Sequence, residues 1–419
     1  MDCKFFYIIS YLCSAFVFLG GMIERKEYMD ILDKWREKKV IKVVTGIRRC
    51  GKSSLLRMFR EKLLADGVSG EQVQDLNFES LDNEPFLDYK VLYSHVKDNL
   101  CPDRMNYLFF DEIQMVENFQ KVIDSLFLLD NVDIYVTGSN AYLLSGEIAT
   151  LLTGRYVEIS MFPLSFKEFM SGQPSGMSRE DGYRKYVECG SFPYILQIEN
   201  DREMVREYLF GLYNTIVLKD VVSRRKITDV MMLQSVVRFL ADNIGNVSVI
   251  KRISDTMISL GRKIASHTVE NYITALVDSF IFYPVQRYDA KGRQLLKTGQ
   301  KYYLADIGLR QVINGAKGGD MGHILENIVF LELSRRGGEI YVGKIGDCEI
   351  DFIVVNGEFR SYYQVSLSVR DETTLQRELT PLLSISDSFP KYLLTMDNDP
   401  VTYHEGIKRL YVLDWLSVI

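Results

Sequence analysis

The residues best equipped for chemistry lie in Val43-Val44-Thr45-Gly46-Ile47-Arg48-Arg49-Cys50-Gly51-Lys52-Ser53-Ser54, between a hydrophobic β-like run and a helix-like run. This stretch fits the phosphate-binding pattern G-x-x-x-x-G-K-[ST]. Gly46 and Gly51 let the backbone fold tightly, so its N–H groups face the β- and γ-phosphates at a helix N-terminus. Lys52 brings a point charge to the β/γ oxygens, and the Ser53 hydroxyl is a ligand for Mg²⁺. The candidate nucleotide-binding set is therefore Gly46, Ile47, Arg48, Arg49, Cys50, Gly51, Lys52, Ser53 and Ser54, with ATP and Mg²⁺ as the expected cofactors. Arg48 and Arg49 read either as solvated loop charges or as partners of a neighbouring carboxylate.

A second chemical element is Tyr107-Leu108-Phe109-Phe110-Asp111-Glu112-Ile113-Gln114. Four apolar residues bury a central strand that delivers two acids to its C-terminal edge. Asp111 is placed to hold Mg²⁺ through its water shell, and Glu112 to polarise an attacking water. An acid pair following a phosphate loop points to hydrolysis rather than grip alone. The run "DIYVTGSN" ends a further strand with Thr137, Ser139 and Asn140, of which Asn140 is the candidate bridge between γ-phosphate and water. Arg155 in "LLTGRYVEI" has two readings. It is an arginine finger for a neighbouring copy in a ring or dimer, or one half of an internal salt bridge.

The elements that must position these groups follow from pattern. From Val40 to about Phe169, strands alternate with helix-period stretches, which predicts an α/β parallel sheet with helices on both faces. A Gly/Pro/Ser linker, Ser171 to Gly182, comes next. Helices then dominate to about Phe280, including a pair around a turn at Gly261. The second of the pair carries an apolar stripe of Val269, Tyr272, Ile273, Leu276, Val277 and Phe280. Two strand-like pieces joined by "DAKGR" complete a winged-helix order. From Gly322 onward the chain reads as a small α/β domain. The expected segments are an apolar extension at 1–21, a nucleotide-binding domain at 22–170, a helical and winged-helix domain at 183–310, and an α/β domain at 320–419.

Bulk properties narrow the classes. A chain of 419 residues, 47% apolar and 25% charged, is long enough for two or three cored domains and is globular in composition. A net charge of −6 argues against a uniformly basic nucleic-acid coat protein. Six scattered cysteines without a C-x-x-C pair, and four dispersed histidines, predict no zinc site and a reducing, cytoplasmic setting. The apolar run Phe5 to Phe18 reads as a signal-like or anchoring segment, or as residues upstream of a true start at Met22. The second reading is favoured, because a nucleotide site needs cytosolic ATP; no stable membrane span is expected.

Taken together, "GIRRCGKSSLL", "LNFES", "LFFDEIQ", "VTGSN", "LLTGRYVEISMFPLSFKEF" and "ECGSFPYIL" resemble the bacterial and archaeal AAA-type ATPases. The resemblance runs from about Met22 to the C-terminus. It implies an AAA+-like sheet of strand order 5-1-4-3-2 and a winged-helix segment behind it. It further implies a C-terminal domain of unknown function related in fold to restriction endonucleases.

A nuclease of that class needs an acid on a helix, an Asp on a strand and a [DE]-x-K on the next strand. Glu326 and Asp351 supply the first two, but Gln364 and Ser366 stand where the acid and lysine belong, so no cleavage is expected. Arg287, Lys291, Arg293, Lys297 and Lys301 cluster around the expected wing, a candidate phosphate-contact strip for DNA. Two functions from different classes stay open. One is an ATP-hydrolysing switch that moves a partner or a DNA complex; the other is an ATP-gated interaction or defence-type protein with little turnover.

Overall fold

The computed structural model describes residues 23–141, 154–259, 261–262, 264–292, 294–315 and 320–418. The apolar run expected as an extension before Met22 lies outside them. Among the described residues, no helix is long and apolar enough to cross a membrane.

The N-terminal layer runs α1 (Lys26–Lys34), β1 (Ile41–Thr45), α2 (Lys52–Ala65), β2 (Val73–Asn77), α3 (Tyr89–Asp98), β3 (Asn106–Asp111), α4 (Phe119–Phe127), β4 (Val132–Gly138) and β5 (Tyr156–Ser160). Its five strands pair in parallel in the order β2-β3-β4-β1-β5. This is the order that the resemblance implied. The central strands are apolar at almost every position because both faces are covered. Ile41, Val43, Leu108, Phe110, Ile134 and Val136 face one core with α3 and α4, while Val44, Tyr107, Phe109 and Tyr135 face the other with Phe59 of α2. Lys42 is a charge inside β1, and burial pushes its ammonium below its usual value. An ion pair with Asp133 on β4 compensates it.

The helical layer comprises α5 (Phe166–Ser171), α6 (Arg179–Cys189), α7 (Ile195–Ile198), α8 (Arg202–Thr215), α9 (Val230–Asp242), α10 (Ile250–Ser259) and α11 (Ser266–Asp278). The stretch read as a linker is in part helical. Ser178 accepts a hydrogen bond from the Asp181 N–H at 3.0 Å, and this cap starts α6. Past α8 the chain widens into a π-helical turn, Ile216–Ser223. The helix pair around Gly261 is present as α10 and α11, and Val269, Tyr272, Ile273 and Leu276 are buried as the stripe requires. Phe280 has left the helix, with φ of 58°.

Next come β6 (Phe282–Asp289), β7 (Gln294–Leu304), α12 (Ile307–Asn314), α13 (Met321–Arg336), β8 (Glu339–Ile345), β9 (Cys348–Asn356), β10 (Phe359–Ser366), α14 (Glu372–Leu383), β11 (Lys391–Thr395), β12 (Thr402–His404), β13 (Ile407–Tyr411) and α15 (Val412–Ser417). β6 and β7 form the expected antiparallel hairpin, but it is no free-standing wing. β6 pairs in parallel with β8, so the hairpin forms one edge of a mixed eight-stranded sheet, β12-β13-β11-β10-β9-β8-β6-β7. Strand pairing of this kind joins residues far apart in sequence and leaves no trace in local pattern. One hydrophobic core continues from the parallel sheet through the helices to α13 and α15.

Candidate functional site

β1 ends at Thr45, and the loop turns sharply at Gly46 and Gly51 before α2 begins. Gly46 has φ of 149°, and a Cβ there would lie 2.1 Å from the Met161 carbonyl oxygen. Gly51 has φ of 110° at the N-terminus of α2, a conformation that glycine adopts without strain. Of the loop residues, Arg48, Arg49, Gly51, Lys52, Ser53 and Ser54 line a cavity of about 800 Å³. Ile47 and Cys50 point into the core and are fully buried. The Lys52 ammonium donates to the carbonyls of Gly46 at 2.9 Å and Ile47 at 3.4 Å. It lies 3.7 Å from Glu112 Oε1.

The strand ends bring the acids to the same place. Thr137 Oγ1 donates to Asp111 Oδ1 at 2.5 Å and accepts from the Glu112 N–H at 2.9 Å. Asn77 Nδ2 donates to Asp111 Oδ2 at 2.9 Å. Burial pushes the Asp111 carboxyl above its ordinary value, while hydrogen bonds from Ser53 and Thr137 act the other way. Glu112 sits in the left-handed region with φ of 56°. It accepts from Ser139 Oγ at 2.9 Å and from the Gln114 amide. Ser53 and Asp111 together present oxygen donors of the kind Mg²⁺ takes. The donor set fits the ion expected from the sequence.

The other expected residues divide. Asn140 follows Ser139 and is buried at the end of β4. Arg155 stands at the opposite end of the sheet. Its carbonyl accepts from the Ile41 N–H at 2.8 Å, a strand's length of about 13 Å from the loop. Its guanidinium pairs with Asp124 and lies over the Phe127 ring at 5.7 Å, half exposed. The internal salt bridge is therefore formed, and Arg155 does not reach the loop of its own chain.

Several residues at the site carried no signal in the sequence. Arg25, fully buried, donates from Nη1 to the Cys50 carbonyl at 3.0 Å, from Nη2 to the Phe162 carbonyl at 2.8 Å and from Nε to Glu168 Oε1 at 2.7 Å. It ties the top of the loop to the chain leaving β5. Arg48 resolves its two readings in favour of carboxylates, donating to Asp220 and Glu79. The cavity wall away from the loop comes from the helical layer and the N-terminus. Pro193, Tyr194, Tyr208 and Leu212, with Ile23 and Leu164, make it largely apolar. A lone arginine or tyrosine gives no spacing to read, so tertiary packing alone gathers them.

A second cluster lies in the mixed sheet. Glu326 of α13, Asp351 of β9 and Gln364 of β10 do converge: the Asp351 N–H donates to Gln364 Oε1 at 3.4 Å. The cation missing from β10 comes instead from β7. Buried Lys301 lies 2.9 Å from Glu326, 2.8 Å from Glu349 and 3.9 Å from Asp351. Tyr303 also donates to Glu326 at 2.6 Å. Burial works against the Lys301 charge, but the three acids more than offset it and raise the ammonium above its usual value. Lys301 thus faces inward and is lost to the expected DNA strip, while Arg293 and the Lys297 side chain lie outside the described residues. Helix α11 carries no Lys or Arg; its exposed residues include His267, Glu270, Asn271 and Thr274. Among the described residues, no group of three or more His, Cys, Asp or Glu is arranged to hold a metal ion.

Residues 38–170 match the model of the AAA domain, and residues 180–319 match a domain of unknown function (DUF8612). An uncharacterized protein of Haemophilus influenzae is 39% identical over 400 residues, spanning 94% of this chain and 99% of that one. The chain belongs to that protein's family. Uncharacterized protein MJ1544 of Methanocaldococcus jannaschii is 29% identical over 398 residues, 89% of this chain and 85% of that protein. Among solved structures, the Walker-type ATPase PABY2304 of Pyrococcus abyssi aligns with a TM-score of 0.46 at 15% identity, covering 70% of this chain and 96% of its own. The Aeropyrum pernix ORC1 protein in complex with DNA aligns with a TM-score of 0.31 at 12% identity, over 70% and 92%. At these scores neither likeness bears on what this family member does. The cavity is built from both matched regions, the loop from the AAA domain and the apolar wall largely from the segment after it.

Proposed function

We propose that the chain binds Mg-ATP in this cavity and hydrolyses it, in the cytoplasm, to drive a conformational change in a partner. One observation carries this reading. Lys52 has carbonyls as its nearest partners, at the edge of a cavity it shares with Glu112, so its positive charge stays available to an anion. The loop amides of residues 46–54 take the phosphates, and Lys52 stabilises the charge that builds on the transferred group. Mg²⁺, held by Ser53 and Asp111, supplies charge neutralisation on the phosphate oxygens when bound. Glu112, aimed by Ser139 and Gln114, accepts the proton of the attacking water. Asn140 stands beside it as a second polar group near the terminal phosphate. Tyr194, Tyr208 and Pro193 offer a stacking surface for the base.

Phosphate release from Mg-ATP, measured with wild type and Glu112→Gln, tests the proposal. Turnover that Glu112→Gln lowers while ATP stays bound supports it. Tight ATP binding without turnover in wild type favours the ATP-gated interaction protein.

The order α13-β8-β9-β10-α14-β11 supports reading the C-terminal region as a relative of the restriction-endonuclease fold that does not cut. Lys301 pairs with Glu326 and Glu349 and offsets part of the negative charge that a metal ion would meet there. Incubation of supercoiled DNA with Mg²⁺ or Mn²⁺ is expected to leave it intact. Cleavage that disappears in Asp351→Ala would overturn this part.

A further inference from the structure

Arg48 is a loop residue held by groups outside the loop. Asp220, in the π-helical turn after α8, accepts from its Nε at 2.9 Å and from its Nη2 at 3.2 Å. Glu79, just past β2, accepts from Nη1 at 2.9 Å. Asp220 is only 2% exposed, and the π turn buries it together with Ile216, Val217 and Val221. Wide turns of this kind recur at functional sites. A guanidinium carries five N–H donors. Three are engaged here, and the remaining two meet no acceptor among the described residues. Arg48 lines the cavity together with Lys52, Ser53, Glu79 and Glu112.

The end of β2 ties this arrangement to the acids of the site. Asn77 donates to Asp111 at 2.9 Å and accepts from the Glu79 N–H at 2.8 Å, so one turn of chain orients Asp111 and holds Arg48. The acids do not cancel the arginine. Lys219 lies 3.5 Å from Glu79 and Arg224 lies 4.0 Å from Asp220. Three cations against two anions leave the group at net +1.

We propose that Asp220 is a positioning residue that holds Arg48 with its free N–H groups toward the terminal phosphate of a bound nucleoside triphosphate. The helical segment beyond the AAA domain thereby takes part in telling triphosphate from diphosphate. This rests on the Mg-ATP reading above. Two-point pairing sets the plane of a guanidinium, which a single contact does not. An arginine fixed in advance loses little freedom when the phosphate arrives. Without Asp220, Arg48 keeps one contact to Glu79 and turns about it.

The test uses the full chain and titrates ATP and ADP, each with Mg²⁺, into wild type, Asp220→Asn, Asp220→Glu and Arg48→Lys. In Asp220→Asn and Arg48→Lys, ATP affinity is expected to fall about tenfold while ADP affinity stays within about twofold, the loss of one charge-assisted contact. Asp220→Glu restores part of the ATP affinity. Arg48→Lys combined with Asp220→Asn is no worse than either alone, because both remove the same contact. Equal losses for ATP and ADP, or an unchanged ratio in both single variants, overturn the proposal. Should Asp220→Asn fail to fold, Arg48→Lys and Asp220→Glu still decide it by the same ratio. Wild type that binds neither nucleotide overturns the Mg-ATP reading itself, which is a different result.

Discussion

Two regions of this molecule each surround a buried lysine with acids, and they have opposite chemical character. Lys52 reaches two backbone carbonyls, and its nearest carboxylate is at 3.7 Å. Lys301 has two carboxylates within 3 Å and a third at 3.9 Å. In the first region the charge is held by dipoles and remains available to an incoming anion; in the second it is neutralised where it stands. Neither the residue types nor their burial separates the two. The partners of the ammonium do.

The largest effect expected from this contrast is on Lys52. Lys52→Ala should lower ATP turnover by about 10²–10³. Stability should change by about 1–2 kcal/mol, since two carbonyl contacts and a long pairing with Glu112 at 3.7 Å are lost. Phosphate release and a denaturant melt check both halves, and a variant that turns over ATP like wild type breaks the assignment. Glu112→Gln should cost turnover about 10² while nucleotide stays bound, measured by equilibrium binding alongside single-turnover kinetics.

Lys301→Met should show the reverse pattern. Buried Glu326 and the partly exposed Asp351 and Glu349 lose their counter-charge, and unfolding should become easier by about 3 kcal/mol, chiefly through Glu326. ATP turnover below the melting transition should stay close to wild type. Adding Glu349→Gln to that variant should recover part of the loss. Unchanged stability would mean that the cluster is not neutralised by this lysine.

Two smaller effects sharpen the picture. Burial disfavours the Asp111 anion, so in the metal-free protein its carboxyl should take up a proton at a pH above the usual value of about 3.9. Carboxylate NMR of the metal-free protein checks this, and a titration at or below the usual value would count against it. Arg155→Ala should change stability by less than about 1 kcal/mol, because its pair with Asp124 is solvated. If Arg155 acts on a neighbouring copy, turnover falls with little change in ATP affinity, and wild-type activity per protomer rises with protein concentration. A concentration-independent rate that the substitution leaves intact would confine Arg155 to its own salt bridge.

The sequence by itself determined the loop, the strand-end acids and the layered parallel sheet. Those features rest on local rules: fixed spacing of Gly46, Gly51, Lys52 and Ser53, and unbroken apolar runs in strands buried on both faces. That Glu326, Asp351 and Gln364 belong together was implied only by the family resemblance. What the sequence hid were partners separated by long stretches of chain. Arg25 meets Glu168, Arg48 meets Asp220, and Lys301 meets Glu326 and Glu349, across separations that no window of pattern spans. The hairpin is the clearest case. Its two strands were legible from alternation and a turn, but its pairing with β8 was not. Backbone hydrogen bonds between strands carry no residue code. Only the packed structure decided that Lys301 would turn inward to the acids rather than outward to solvent.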